Sequence, residues 1–133
     1  MNLLVTPIVL PLAGAALCLL FSGSSKNARW ISGGATLLTV AFAGKLFLMA
    51  DGGEVSVLRV GGWPESYGIV LVLDRLSALM ILLATLVQAT TLWFACSGAL
   101  EEEEERNFFH PLFLILCGSV NWTFLTGDLF NLF

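Results

Sequence analysis

The sequence predicts an all-α polytopic membrane protein: four transmembrane helices plus the start of a fifth, with a short hairpin-like outer loop between helices two and three. Three observations carry this prediction. Of the 133 residues, 57% are hydrophobic and 12% charged, and the mean hydropathy is +0.88, well outside soluble averages. The charges are segregated, leaving nearly charge-free stretches at about 3–21, 30–50, 76–97 and 107–126. Each, as a helix of about 30 Å, matches the hydrocarbon thickness of a bilayer. The remaining residues are too few to build a soluble shell that would hide such segments as core helices. The chain therefore reads as a single membrane domain, residues 1–133.

The first span follows Met1-Asn2 directly, with no Lys or Arg ahead of Leu3-Leu4-Val5. That flank is wrong for a signal peptide, so the helix reads as retained. Pro7 and Pro11 lie near its start. Proline frees a carbonyl that lipid cannot satisfy, so this helix is expected to pack within a bundle whose neighbours supply the donor. In the second span, Gly33-Gly34 is expected to allow close helix approach. Lys45, near the outer end of that span, either snorkels to the interface or belongs to a charge relay.

The loop from Asp51 to Asp74 has its own pattern. Glu54-Val55-Ser56-Val57 alternates, Gly61-Gly62-Trp63-Pro64 supplies turn chemistry, and Ile69-Val70-Leu71-Val72-Leu73 is β-branched and short, which together read as a hairpin-like flap. Asp74 precedes Arg75-Leu76-Ser77, where its carboxylate is suited to cap the third helix. Within that helix Gln88 calls for an interhelical hydrogen-bond partner, because lipid offers none. The acidic run Glu101 to Glu105 that follows reads as a solvated loop or, alternatively, a cation-collecting or partner-binding patch.

The fourth span begins at His110-Pro111, where proline suits a first helical turn. It is expected to break at Gly127-Asp128, with Asp128 capping a fifth helix that opens at Leu129 to Phe133. On an ideal helix His110, Cys117, Asn121 and Asp128 share one face, since offsets of 7, 11 and 18 residues return within about 20°. That polar stripe reads either as interhelical hydrogen bonding or as part of a proton path, with His110 able to pass protons near neutral pH.

Other chemistry has little support. Cys18, Cys96 and Cys117 lie in apolar runs without CxxC spacing and read as small buried residues. One histidine, no carboxylate cluster within the spans and no phosphate-binding glycine loop leave hydrolase, zinc and nucleotide readings without support. No catalytic, cofactor or metal site is expected. The six basic residues are scattered, which argues against nucleic acid as a partner. Counting Lys and Arg near span ends sets Lys26, Arg29 and Arg106 on one side against Arg59 and Arg75 on the other. This bias places the N-terminus outside.

Two stretches carry a family resemblance. Gly62-Trp63-Pro64 followed by Gly68 to Leu79, through Leu73-Asp74-Arg75-Leu76-Ser77-Ala78, resembles the start of the third helix in antiporter-like membrane subunits. Phe124-Leu125-Thr126-Gly127-Asp128-Leu129-Phe130-Asn131-Leu132-Phe133 is similar to the junction of helices four and five in the D subunits of multi-subunit (Mrp-type) Na+/H+ antiporters. The same superfamily includes proton-pumping subunits of respiratory complex I and membrane-bound hydrogenases. The resemblance implies a prokaryotic inner membrane, other membrane subunits as partners, Na+ and H+ as transported ions, and no cofactor. It also implies that proton transfer rests on a glutamate of the fifth helix, beyond Phe133, and on lysines of later helices, with helix breaks giving hydrated points at mid-depth. Asp128 and Asn131 then belong to the motif leading into the glutamate helix and not to the relay.

The expectation is thus the N-terminal part of an antiporter subunit. The first alternative is the matching subunit of a quinone-reducing complex or hydrogenase, a translocase part driven by redox chemistry elsewhere. The second is a short non-catalytic membrane scaffold, which predicts a stop codon directly after Phe133.

Overall fold

The computed structural model describes residues 3–21, 25–53, 55–59, 69–99 and 108–127. A short 3-10 turn, Leu3–Val5, leads into α1 (Thr6–Leu20), followed by α2 (Ser25–Asp51), strands β1 (Ser56–Arg59) and β2 (Val70–Leu73), and α3 (Arg75–Phe94), which widens into a π turn at Ala95–Ala99. The last described helix, α4 here, is Phe109–Leu125. Among the described residues three helical segments are long and apolar enough to cross a membrane, Leu3–Leu20, Lys26–Asp51 and Arg75–Ser97, while α4 is apolar but shorter, at 17 residues.

The boundaries have local causes. Helix α2 begins at Ser25, ahead of residue 30, where the apolar run starts. Lys26, Asn27 and Arg29 are polar yet compatible with helix, so polarity marks where lipid should end and not where the helix does. Asp74 caps α3: its Oδ1 accepts from the Ser77 N–H at 2.7 Å. Next to it, Arg75 donates to the Asp51 carbonyl at 2.7 Å and to Asp51 Oδ1 at 2.9 Å, tying the end of α2 to the start of α3. Both side chains are largely exposed, so the tie fixes geometry more than it adds stability.

The core has two parts. Leu4, Ile8, Ala43, Leu46, Ala78, Ile81 and Leu125 pack with Leu71 and Leu73 at one end, and Ala15, Cys18 and Leu114 pack towards the other. Strands β1 and β2 pair antiparallel, from Ser56 opposite Leu73 to Arg59 opposite Val70. The sequence suggested a flap, but β2 is built into the bundle. Its alternation turns Leu71 and Leu73 into the core, each 1% exposed, and Leu71 bridges to Thr126 at the end of α4.

One glycine reading needs correction. A Cβ placed on Gly33 or Gly34 would meet nothing within 4 Å, so among the described residues this pair brings no helices together. The close approaches occur at Gly14, where a Cβ would sit 2.7 Å from the Ala35 Cβ, and at Gly118, 3.1 Å from Leu12. Helix α4 ends at Leu125, just ahead of Gly127, and Gly127 itself packs against β2. Its N–H donates to the Val70 carbonyl at 2.8 Å, and a Cβ there would fall 2.4 Å from Val72.

Candidate functional site

The buried face of α4 carries two of the buried polar side chains, His110 and Asn121, while the others lie on α2 and α3. His110, Leu114, Cys117, Gly118, Asn121 and Leu125 are all buried on that face, at the i, i+4, i+7 spacing that puts residues on one side of a helix. Two of these side chains make polar contacts with other helices.

Asn121 is 0% exposed and bonds in two directions. Its Nδ2 donates to the Pro7 carbonyl at 2.9 Å, and its Oδ1 accepts from Gln88 Nε2 at 3.3 Å. The first bond follows from the sequence of α1. Pro11 has no N–H, so the carbonyl four residues earlier, that of Pro7, loses its helical donor. Asn121 supplies one from α4. A single amide thus joins α1, α3 and α4 and removes a carbonyl defect that would be costly in lipid.

His110 is 1% exposed, buried against neighbouring helices at the start of α4. Its Nδ1 lies 2.9 Å from Ser32 Oγ on α2, while Ser32 Oγ lies 3.1 Å from the Arg29 carbonyl. A serine hydroxyl carries one proton. When that proton goes to Arg29, Nδ1–H donates to Ser32; when it goes to His110, Nδ1 accepts. Either arrangement ties the start of α4 to the start of α2. The Phe109 ring adds an edge contact with the imidazole at 5.4 Å between centroids.

The remaining polar groups stay local. Thr39 and Thr85 donate to carbonyls of their own helices, and the buried Thr36 Oγ1 has no partner among the described residues. Cys18, Cys96 and Cys117 form no disulfide among the described residues, and no group of three His, Cys, Asp or Glu side chains gathers there as a metal site.

Of the residues singled out by sequence, His110 and Asn121 share one face but stand eleven positions apart, about 16 Å along the helix. They bond different partners and form no joint constellation. Lys45 is exposed on α2, away from that face. Asp128, Asn131, the run Glu101 to Glu105, Arg106 and the turn Gly61 to Pro64 lie outside the described residues. Sequence reasoning missed Ser32, Gly14 and the partner carbonyl of Pro7. Pro11 was the available signal for the last, since it names the carbonyl it orphans.

No family model matches the chain. Individual relatives do. It is 36% identical over 132 residues to the D subunit of the Na+/H+ antiporter of Alkalihalophilus pseudofirmus, covering 99% of this chain and 27% of that one. It is 38% identical over 138 residues to the D subunit of a probable K+/H+ antiporter of Rhizobium meliloti, covering 99% and 25%. Among solved structures, a chain of the Mrp complex from Dietzia sp. superposes with a TM-score of 0.86 at 28% identity, covering 96% of this chain and 23% of that one. A chain of the archaeal membrane-bound sulfane sulfur reductase, a respiratory membrane complex, gives 0.86 at 27% identity, covering 97% and 26%. The chain spans about a quarter of the length of the curated relatives it matches. Over nearly all of its own length it is a homologue of antiporter D subunits, and a multi-pass membrane protein.

Proposed function

From this homology to antiporter D subunits, we propose that the chain is part of a membrane subunit of a cation/proton antiporter complex, exchanging Na+ or K+ for H+. The observation that carries the reading is the agreement of relatives named as such subunits at 36% and 38% identity along 99% of the chain. On this reading α1 to α4 are four crossings of one membrane domain. The N-terminus and the β1–β2 hairpin lie outside, and a fifth helix opens at Asp128-Leu129.

These helices act as scaffold. Among the described residues the seam of α4 offers one imidazole and a set of amides and hydroxyls, and no carboxylate. His110 and Asn121 hold helices in register, Lys45 snorkels to the interface, and Asp128 and Asn131 support the helix break.

A redox-driven complex is the second reading, favoured by the equal TM-score of 0.86 to a respiratory membrane complex. Everted membrane vesicles separate the two. With the complete set of neighbouring genes expressed in an antiporter-deficient host, adding Na+ or K+ should collapse a preformed pH gradient. A gradient indifferent to both cations, but built up by an electron donor only when this gene is intact, would replace the first reading by the second.

A further inference from the structure

Where α4 ends, the chain passes directly onto β2. Thr126 has extended backbone, with φ −65° and ψ 127°, and its N–H still donates to the Trp122 carbonyl at 3.0 Å. Leu71 bridges antiparallel to Thr126, and the Gly127 N–H donates to the Val70 carbonyl at 2.8 Å. Backbone that leaves a helix loses its internal partners, and beside lipid only protein can replace them. Strand β2 does so here.

The strand is itself held from the other side. Leu71 and Leu73 pack with Leu46 of α2 and with Ala78 and Ile81 of α3. Asp74 caps α3 directly after the strand, and the Arg75–Asp51 pair ties α3 to α2. Helix α4 hangs separately on α1, through Gly118 and the Asn121–Pro7 bond. The point where the chain leaves α4 is therefore fixed twice, once by α1 and once, through β2, by α2 and α3. The second fixture ends in a single methyl. A Cβ at Gly127 would lie 2.4 Å from Val72 Cγ2, while the Val72 Cβ and the Val70 carbonyl oxygen would be at an ordinary 3.4 Å. Valine is stiff about χ1, so this methyl limits how closely anything larger than glycine can approach the strand.

We propose that β2 is a positioning element for transport: Val70, Leu71 and Val72 set the place at which the chain leaves α4, and with it the break into the next helix. The inference rests on the proposed function, in which the chain runs on from Gly127 into a fifth helix. Broken helices build the ion sites of many membrane transporters, so a break that shifts carries its polar groups with it. The three β2 residues act through the backbone at Thr126 and Gly127, and not by touching an ion.

The test moves one methyl across this contact, in everted vesicles carrying the full-length subunit in its complex. Gly127→Ala adds a methyl that Val72 opposes, and relieving the overlap from 2.4 to 3.4 Å takes a shift of about 1 Å. The maximal rate of cation-driven gradient collapse, per assembled complex, should fall about ten- to a hundredfold, the scale on which such a misplacement acts. Val72→Ala, which leaves a gap, should lower it about two- to threefold. The double variant should return close to the parental rate, because the new methyl replaces the lost one, a coupling expected of residues in contact. The half-saturating cation concentration should stay parental throughout. A rate per complex unchanged in both single variants, or a double variant no faster than Gly127→Ala, overturns the proposal. So does a loss that follows only the amount of complex assembled, which would make the contact purely structural. Should Gly127→Ala fail to assemble, Val72→Ala adds no atoms and decides alone: a parental rate per complex overturns the proposal, a lowered one supports it. Parental vesicles that ignore Na+ and K+ but build a gradient with an electron donor would overturn the antiporter reading alone, and the same variants would then be compared on that gradient.

Discussion

The two long seams of the bundle are made in opposite ways. Where α1 meets α4, and α2 crosses α1, small residues let the helices come close: an added carbon would collide with the Ala35 Cβ at Gly14 and sit tight against the Leu12 side chain at Gly118. Polar atoms there find partners across helices, as Asn121 does with Pro7. Where α2 runs beside α3 towards its own beginning, the same residue type at Gly33 has open space around it, and large side chains such as Trp30, Leu37 and Trp93 remain exposed. In lipid there is no hydrophobic force to close such a gap, because acyl chains are as apolar as leucine. Helices stay together where packing and hydrogen bonds favour it. The contrast teaches that a glycine in a membrane helix says nothing by itself about helix contact.

The largest effect should come from making the same substitution on both seams. Gly14→Ala places its methyl 2.7 Å from the Ala35 Cβ, which is fixed to backbone and cannot rotate away. Relieving the clash means separating α1 from α2, at a cost of about 1–3 kcal/mol. Gly33→Ala meets no such obstacle and should gain up to about 1 kcal/mol from helix propensity. Thermal denaturation of the detergent-solubilised protein should therefore move in opposite directions for the two variants. Matching shifts would show that the seams do not differ as described.

A smaller effect should separate the two partners of Asn121. Asn121→Leu orphans the Pro7 carbonyl and leaves Gln88 without its acceptor, a loss of about 1–3 kcal/mol, set mainly by the buried unpaired carbonyl. Gln88→Leu removes only the longer bond, 3.3 Å, and should lose about 0.6 kcal/mol, the usual worth of an interhelical hydrogen bond in a membrane protein. Restoring the donor to α1 by Pro11→Ala should reduce the penalty of Asn121→Leu. If Pro11→Ala leaves that penalty unchanged, the amide is not answering the proline.

How much of this was legible depended on whether a contact is local in sequence. The helical segments followed from uninterrupted apolar runs, and the Asp74–Ser77 bond is written in four consecutive residues. The spacing of His110, Cys117 and Asn121 on one face was likewise visible, because helical periodicity fixes it. The choice of partners was not. Ser32 stands 78 positions from His110, and nothing in either neighbourhood names the other. Gly33-Gly34 and Gly14 carry the same local signal, and only the path of α2 past α1 decides which glycine meets a neighbour. The placing of β2 in the core was half-legible. Its run of Val and Leu read as a strand of an outer flap, but the covering surface comes from the end of α4, beyond which Gly127 reaches Val70 only once the bundle has formed.

The smallest predicted effect lies outside both seams, at the start of α3, and it tests whether the end of the bundle depends on charge. Hydrogen bonding from the Ser77 side chain, and then from its backbone N–H, holds the Asp74 carboxyl below the usual carboxylate range. A group whose folded value is depressed stabilises the fold above its unfolded value, about 3.9, and loses that contribution as the pH falls through the folded one. At neutral pH, Asp74→Ala should lose about 1 kcal/mol through the missing cap, and the difference from the parent should shrink below about pH 4. Asp74→Asn keeps an accepting oxygen without a titrating proton, so it should retain most of the stability with no such pH dependence. Hydrogen exchange at the amides of Leu76 and Ser77 would read both effects locally. A parent chain whose first turn kept the same protection in acid as at neutral pH, each rate taken relative to the intrinsic exchange rate at that pH, would mean that the cap works through the geometry of the oxygen alone, and that the charge on Asp74 adds nothing to it.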